Sequence, residues 1–180
     1  MLRLENIKYN QILIIFLLAG VFCLPARAQE APRKTIAMLE FEIVDDTLDY
    51  DAIPAQEQRL KLISQQLRDE FEQKKFYLVL SNEPAAALIA DYQSKVKYLY
   101  DCNGCEIDIA KKLGAQRVLT AWVQKVSNLI LNINIEIKDV ATGQVVVNKS
   151  SDIRGNTDLS WERGIKSMVR SMVEKNQGGK

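Results

Sequence analysis

The sequence predicts an α/β fold of the α+β kind, a mixed five-stranded sheet with a parallel β-α-β start, an antiparallel three-strand meander after it, and helices packed on the sheet. Three observations predict it. An apolar run, an amphipathic stretch and a second apolar run follow one another between residues 35 and 80. Apolar and polar residues alternate strictly from 131 to 138. The connections between the last three strand-like segments are too short for a parallel crossover, so those segments must run antiparallel.

Residues 29–34 are a polar lead, and Thr35 to Phe41 with Ile43-Val44, ending at Asp45-Asp46, reads as a buried first strand. Leu60, Ile63, Leu67 and Phe71 then recur at helical spacing among Gln, Arg, Lys and Glu, which predicts a helix over roughly 55–74. Phe76 to Leu80 is a second strand, and Ser81-Asn82-Glu83-Pro84 begins a helix with proline in its first turn. A strand, a helix and a strand in succession make a parallel crossover unit.

Helix is expected over Pro84–Tyr92, and again from Glu106 to Leu113, where Gly114 suits a left-handed cap. Val118 to Val126 is a strand with Val118, Thr120 and Trp122 on one face and Leu119, Ala121 and Val123 on the other. The alternating segment with Leu129, Leu131, Ile133, Ile135 and Ile137 follows, and Ala141-Thr142-Gly143 turns the chain into a last strand, Val145 to Ile153. Trp161, Ile165, Met168, Val169 and Met172 share one stripe of a final helix that Asp158 could cap.

The first 28 residues carry a different pattern. Arg3 and Lys8 precede an apolar run from Ile12 to Leu24, then Pro25 and Ala26-Arg27-Ala28. This reads as a secretory signal peptide over 1–28, cut after Ala28, with a single domain over 29–180. The run is shorter than the ~20 residues that span a bilayer, so a retained anchor is the weaker reading. Cys23 follows Phe22, whereas a lipid-modified cysteine needs a small residue before it. The expected location is the periplasm, with no integral membrane segment in the mature chain.

Removing residues 1–28 takes three of the 24 basic and one of the 23 acidic residues, leaving 21 against 22. Without a basic excess the chain has no electrostatic footprint for nucleic acid. It contains no histidine, which excludes Ser-His-Asp and Cys-His hydrolases and His-ligated metals.

Three stretches resemble a known module: Ile36-Ala37-Met38-Leu39-Glu40-Phe41-Glu42, Leu113-Gly114-Ala115-Gln116-Arg117-Val118-Leu119-Thr120, and Asp139-Val140-Ala141-Thr142-Gly143-Gln144-Val145-Val146. They look like the envelope α/β domain shared by the amino-terminal domain of TolB, the curli secretion protein CsgG and the outer-membrane activators of penicillin-binding proteins. A closer resemblance is to a family of exported proteobacterial proteins of unknown function. It rests on Asp101-Cys102-Asn103-Gly104-Cys105-Glu106, on Val123 through Leu129 and on Asp152-Ile153-Arg154-Gly155-Asn156-Thr157. Relatives of the wider module dock proteins or assemble, which implies a binding role and an envelope or periplasmic protein as partner.

Four motifs carry chemistry worth weighing. In an exported chain Cys102 and Cys105 are expected to pair as a disulfide. The alternatives are a thiol–disulfide exchanger and a metal site. All four prolines precede Cys102, so no proline follows it as in thioredoxin-like domains, and Asp101 and Glu106 would oppose a thiolate. Zinc would need two more ligands, for which Asp101, Glu106 and Asp108 are the nearby acids. Asp45, Asp46, Asp49 and Asp51 form either a solvated loop that caps the helix near Pro54 or a cation site. Asn128, Asn132 and Asn134 either face solvent or present a hydrogen-bonding surface to a partner. Arg154-Gly155-Asn156-Thr157-Asp158 is a recognition loop or a helix cap.

The functional expectation is a non-enzymatic periplasmic binding or accessory module with no catalytic residue, cofactor or metal. Its contact surface is placed at Asp101, Asn103, Gly104, Asn128, Arg154, Asn156 and Trp161. The alternative is a thiol–disulfide redox accessory protein acting through Cys102 and Cys105.

Overall fold

A computed structural model describes residues 32–45, 47 and 53–178, with side chains as far as Glu174. The segment 1–28, predicted as a signal peptide, and the acidic residues Asp46, Asp49 and Asp51 lie outside the described residues. The elements are β1 (Thr35–Met38), β2 (Glu42–Asp45), α1 (Ile53–Gln73), β3 (Leu78–Leu80), α2 (Ala86–Lys95), α3 (Cys105–Lys112), β4 (Arg117–Lys125), β5 (Ile130–Asp139), β6 (Val145–Arg154) and α4 (Asp158–Gly178). Short 3-10 turns at Glu83–Ala85 and Leu99–Asp101 lead into and follow α2.

The sheet is mixed, as the sequence predicts. β3, β1 and β4 run parallel, and β4, β5 and β6 form the antiparallel meander, in the order β3-β1-β4-β5-β6. The strand number needs correction, because the predicted first strand is two. Met38 stands beside Leu119 and Glu42 beside Trp122, so the chain has one residue more than β4 across this interval. A one-residue excess cannot be accommodated in a continuous ladder and leaves a bulge-like break. Tertiary partners fill the gap: the Leu39 N–H bonds to the Leu119 carbonyl at 2.9 Å, the Phe41 N–H to Ser64 Oγ at 2.9 Å, and the Met38 carbonyl accepts Asn82 Nδ2 at 2.7 Å.

The two faces of the sheet are unequal. Alternation puts Leu119, Ala121, Val123, Leu131, Ile133, Ile135 and Ile137 on one side, where α1 and α4 cover them with Ile63, Leu67, Phe71, Trp161, Ile165 and Met168. Nineteen described residues are buried in this layer against ten in the other. Since each fully buried aliphatic side chain is worth ~1.5–3 kcal/mol, this layer dominates the fold. On the other face α2 and α3 pack over β1 and the start of β4. Asn132 and Asn134 remain half-exposed on that face, with Asn132 bonded to Asp152 at 2.6 Å and to Ser150 at 2.9 Å, so they make a polar outer surface.

Candidate functional site

The turn before α3 is held by its own acid. Asn103 and Gly104 have φ of 56° and 125°, values open to asparagine and glycine at little steric cost. The reversal brings Cys102 and Cys105 together as a disulfide with a Cα–Cα distance of 5.7 Å. Glu106, 2% exposed, turns back on the loop: Oε2 accepts the Gly104 N–H at 2.9 Å and lies 3.2 Å from Cys102 Sγ, while Oε1 takes Lys138 Nζ at 2.8 Å. Burial disfavours the Lys138 ammonium, but Glu106 and Glu136 outweigh that and hold its pKa above the usual lysine value.

A second, half-buried carboxylate ties the preceding segment to the sheet. Glu42 of β2 accepts the N–H groups of Leu99 and Tyr100 at 2.8 and 2.9 Å. Burial pushes its pKa up, and the two N–H groups oppose that in part. The Tyr100 ring then stacks on Trp122 of β4 with centroids 4.5 Å apart.

Cys102, Cys105 and Glu106 are a group that could hold a metal ion, with one donor atom of each within 4.8 Å of the others. Here the sulfurs are bonded to each other and Glu106 to Lys138, so the donors are already occupied. Asp108 accepts the Tyr92 hydroxyl at 2.9 Å, and Asp101 is exposed on the other side of the turn. The donor set does not fit a resident metal.

Asn128, Arg154, Asn156 and Trp161 gather elsewhere, around the loop between β6 and α4. Asn156 Oδ1 accepts Trp161 Nε1 at 3.0 Å and Arg59 Nη1 at 3.2 Å, and its Nδ2 donates to Asn128 at 3.3 Å. Trp161 is fully buried and is corrected here from contact surface to core, since its indole fills the space beneath the loop and its one polar atom is spent on Asn156. The cap of α4 is Thr157, whose Oγ1 accepts the Ser160 N–H at 3.2 Å, and Asp158 instead pairs with Arg59 at 2.7 Å. Glu106 is anchored at Lys138, whose partner in β4 is Val118, whereas the β6–α4 loop is bonded to Leu129 beyond the far end of β4. At ~3.3 Å per residue the two groups stand roughly 25 Å apart along the strand, so the residues proposed as one surface form two.

The sequence reading missed Lys125. Its ammonium is fully buried and bonded to Asp45 at 2.9 Å and Thr47 at 3.0 Å. Asp45 is therefore a buried lysine's counter-ion, not part of a solvated loop. Against the desolvation of burial, Thr47, Lys125 and Gln56 lower its pKa to about 2. The signal was present: Lys125 continues the inward parity of Leu119, Ala121 and Val123.

Residues 34–173 match the family model described as protein of unknown function DUF2380. No curated protein matches the chain. Among solved structures it is similar to the LpoB C-terminal domain from Salmonella enterica, at 15% identity and a TM-score of 0.48 over 80% of this chain and 94% of that one. It is also similar to a lipoprotein from Neisseria meningitidis, at 16% identity and 0.46 over 81% and 97%, respectively. TolB from Acinetobacter baumannii matches at 14% identity and 0.39, over 72% of this chain and 25% of that one.

Proposed function

The chain belongs to this family of unknown function, and we propose that it is an exported, non-catalytic module of the cell envelope that acts by holding another protein. The observation that carries this reading is the closed state of the Cys102–Glu106 turn. A thiol-exchange site needs a stabilised thiolate on an accessible sulfur. Here Cys105 is 5% exposed and Cys102 faces the Glu106 carboxylate, whose other oxygen holds the nearest cation. The leading segment with its apolar run and Ala-x-Ala site supports export to the periplasm. No described helix is long and apolar enough to cross a membrane.

One feature favours the redox alternative, namely that Cys105 opens α3, where the helix dipole stabilises negative charge. The double substitution Cys102→Ser with Cys105→Ser separates the two. The module reading expects a small loss of thermal stability, at the low end of ~0–5 kcal/mol because so short a loop removes little unfolded-chain entropy, with capture of periplasmic proteins retained. A thiol pKa near ~7 or below, with turnover of a model dithiol that the double substitution abolishes, would establish the redox reading instead. Intact mass of the periplasmic protein tests export, with cleavage after Ala28 as the expected result.

A further inference from the structure

We propose that the outer edge of β6 is the binding site of this module, and that it takes an extended acidic segment of a partner protein as an added strand. The inference rests on the module reading and deepens it by naming the surface and the chemistry.

β6 is ten residues long and ends the sheet order. The Gly155 N–H bonds to the Leu129 carbonyl, and the register pairs Ile153 with Leu131, Ser151 with Ile133 and Lys149 with Ile135. In an antiparallel pair the bonded positions alternate, so the odd residues of β6 turn their backbone groups toward β5. The N–H and C=O groups of Asn148, Ser150, Asp152 and Arg154 therefore point outward. Among the described residues no strand pairs with them. The Val126 N–H bond to the Ile130 carbonyl gives the complementary alternation on the other side of β5.

A bare edge is a template for another strand, and long ones are normally blunted. This one is flanked by two clefts that open along consecutive stretches of the same strand. A cleft of about 410 Å³ runs beside Val146–Lys149 and is lined also by Lys34, Phe76, Tyr77 and Met172. Another, of about 340 Å³, runs beside Ser151–Arg154 under Leu159 and Arg163. Strand addition draws affinity from main-chain bonds and specificity from pockets that receive alternate side chains. Their centres are some five residues apart along β6, roughly 16 Å, within the span of an added strand of ordinary length.

Charge decides what would fill them. Lys34, Lys149, Arg154 and Arg163 line the clefts, against the single acid Asp152, and none of the four cations is ion-paired with a carboxylate among the described residues. Val145, Val146 and Leu159 are 48%, 46% and 54% exposed beside them. An extended segment alternating β-branched and acidic residues matches both properties. A second copy would present the same cations to themselves.

The test uses two fluorescein-labelled octapeptides, Thr-Val-Glu-Val-Asp-Val-Glu-Thr and the same peptide with lysine at its three acidic positions, against the chain as recovered from cells. Anisotropy should show the acidic peptide binding at least about tenfold more tightly, with the preference lost in the Arg154→Glu, Arg163→Glu protein. Ser150→Pro removes an outward N–H and leaves the β5–β6 ladder intact, so it should keep the circular dichroism of the parent and weaken acidic-peptide binding at least about tenfold. Hydrogen exchange needs no variant: the amides of Asn148, Ser150, Asp152 and Arg154 should exchange quickly in the free chain and become protected by the acidic peptide. Equal binding of both peptides, or no new protection at those amides, overturns the proposal. So does a dimer in sedimentation with the same amides already protected, which would assign the edge to a second copy. If a periplasmic partner is retained fully by the folded Ser150→Pro protein, the module reading stands and the edge site falls.

Discussion

The Cys102–Glu106 turn and the outer edge of β6 are both rich in polar groups, but the turn closes them on one another and the edge leaves them to solvent. Glu106 bonds the turn and Lys138, and Glu42 bonds the chain just before it. Nothing comparable covers β6, where four cations and a row of backbone groups stand without protein partners among the described residues. The difference separates polarity used to build the fold from polarity left available for recognition. It also predicts opposite sensitivities: removing one member of a closed cluster strands its partner, whereas altering the open edge costs the fold little.

The largest effect should come from the most closed cluster. Asp45→Ala removes the carboxylate bonded at 2.9 Å to the fully buried Lys125 ammonium, together with its bonds to Thr47 and Gln56, and a loss of about 2–3 kcal/mol is expected in urea unfolding near neutral pH. The pH dependence has a definite sign. Asp45 has a folded pKa of about 2, below the ordinary 3.8, so its contribution is present above about pH 4 and is lost as pH falls toward about 2. The Asp45→Ala protein should lack that part of the acid slope. A variant that unfolds with the parent's midpoint at both pH values would show that this cluster is not closed in the sense argued.

An intermediate effect should come from the inner side of β6, which is as closely packed as its outer edge is open. A Cβ at Gly164 of α4 would lie 2.6 Å from Ile153 Cγ2 and 2.7 Å from Ile133 Cδ1. Gly→Ala inside a helix normally stabilises by ~0.5–1 kcal/mol, but overpacking of this kind costs ~1–3 kcal/mol. Gly164→Ala is therefore expected to destabilise by about 1–2 kcal/mol in thermal or urea unfolding. A gain would mean that α4 can lift from the sheet, and that the cleft beside Ser151–Arg154 is adjustable.

The sheet was legible because its signals are local. Period two in Leu131–Ile137 and the helical stripe of Trp161–Met172 are set by burial of one face, and the structure keeps both. The break at Leu39–Phe41 was not legible, because it depends on counting residues against β4 and on acceptors supplied from Ser64 and Leu119. Asn103 and Gly104 are residues suited to the positive φ their turn requires, yet the link from Glu106 to Lys138 crosses 32 residues and no spacing rule reveals it. Trp161 lies on the helical stripe that marks core positions, and its full burial removes it from the candidate surface. The outward row of β6 was hidden for another reason: which strand ends a sheet is a property of topology, not of the strand.

The smallest effect on stability, and the sharpest on the comparison, is expected at Glu106. In a reduced Cys105→Ser protein, Cys102 would keep its thiol beside Glu106 Oε2, the contact that measures 3.2 Å in the disulfide form. A carboxylate so near a sulfur disfavours the thiolate, and Lys138 offsets this only in part because its ammonium lies on the other oxygen. Glu106→Gln keeps an acceptor for the Gly104 N–H and removes the charge, while Lys138 retains Glu136 at 3.2 Å. Unfolding should therefore shift by only about 1 kcal/mol. The Cys102 thiol, followed by thiolate absorbance, should ionise more readily in the Glu106→Gln protein than in its Glu106 parent. If the substitution leaves the thiolate fraction at a given pH unchanged, the carboxylate is not suppressing the thiolate, the turn is open to thiol chemistry, and the contrast with the β6 edge fails at its closed end.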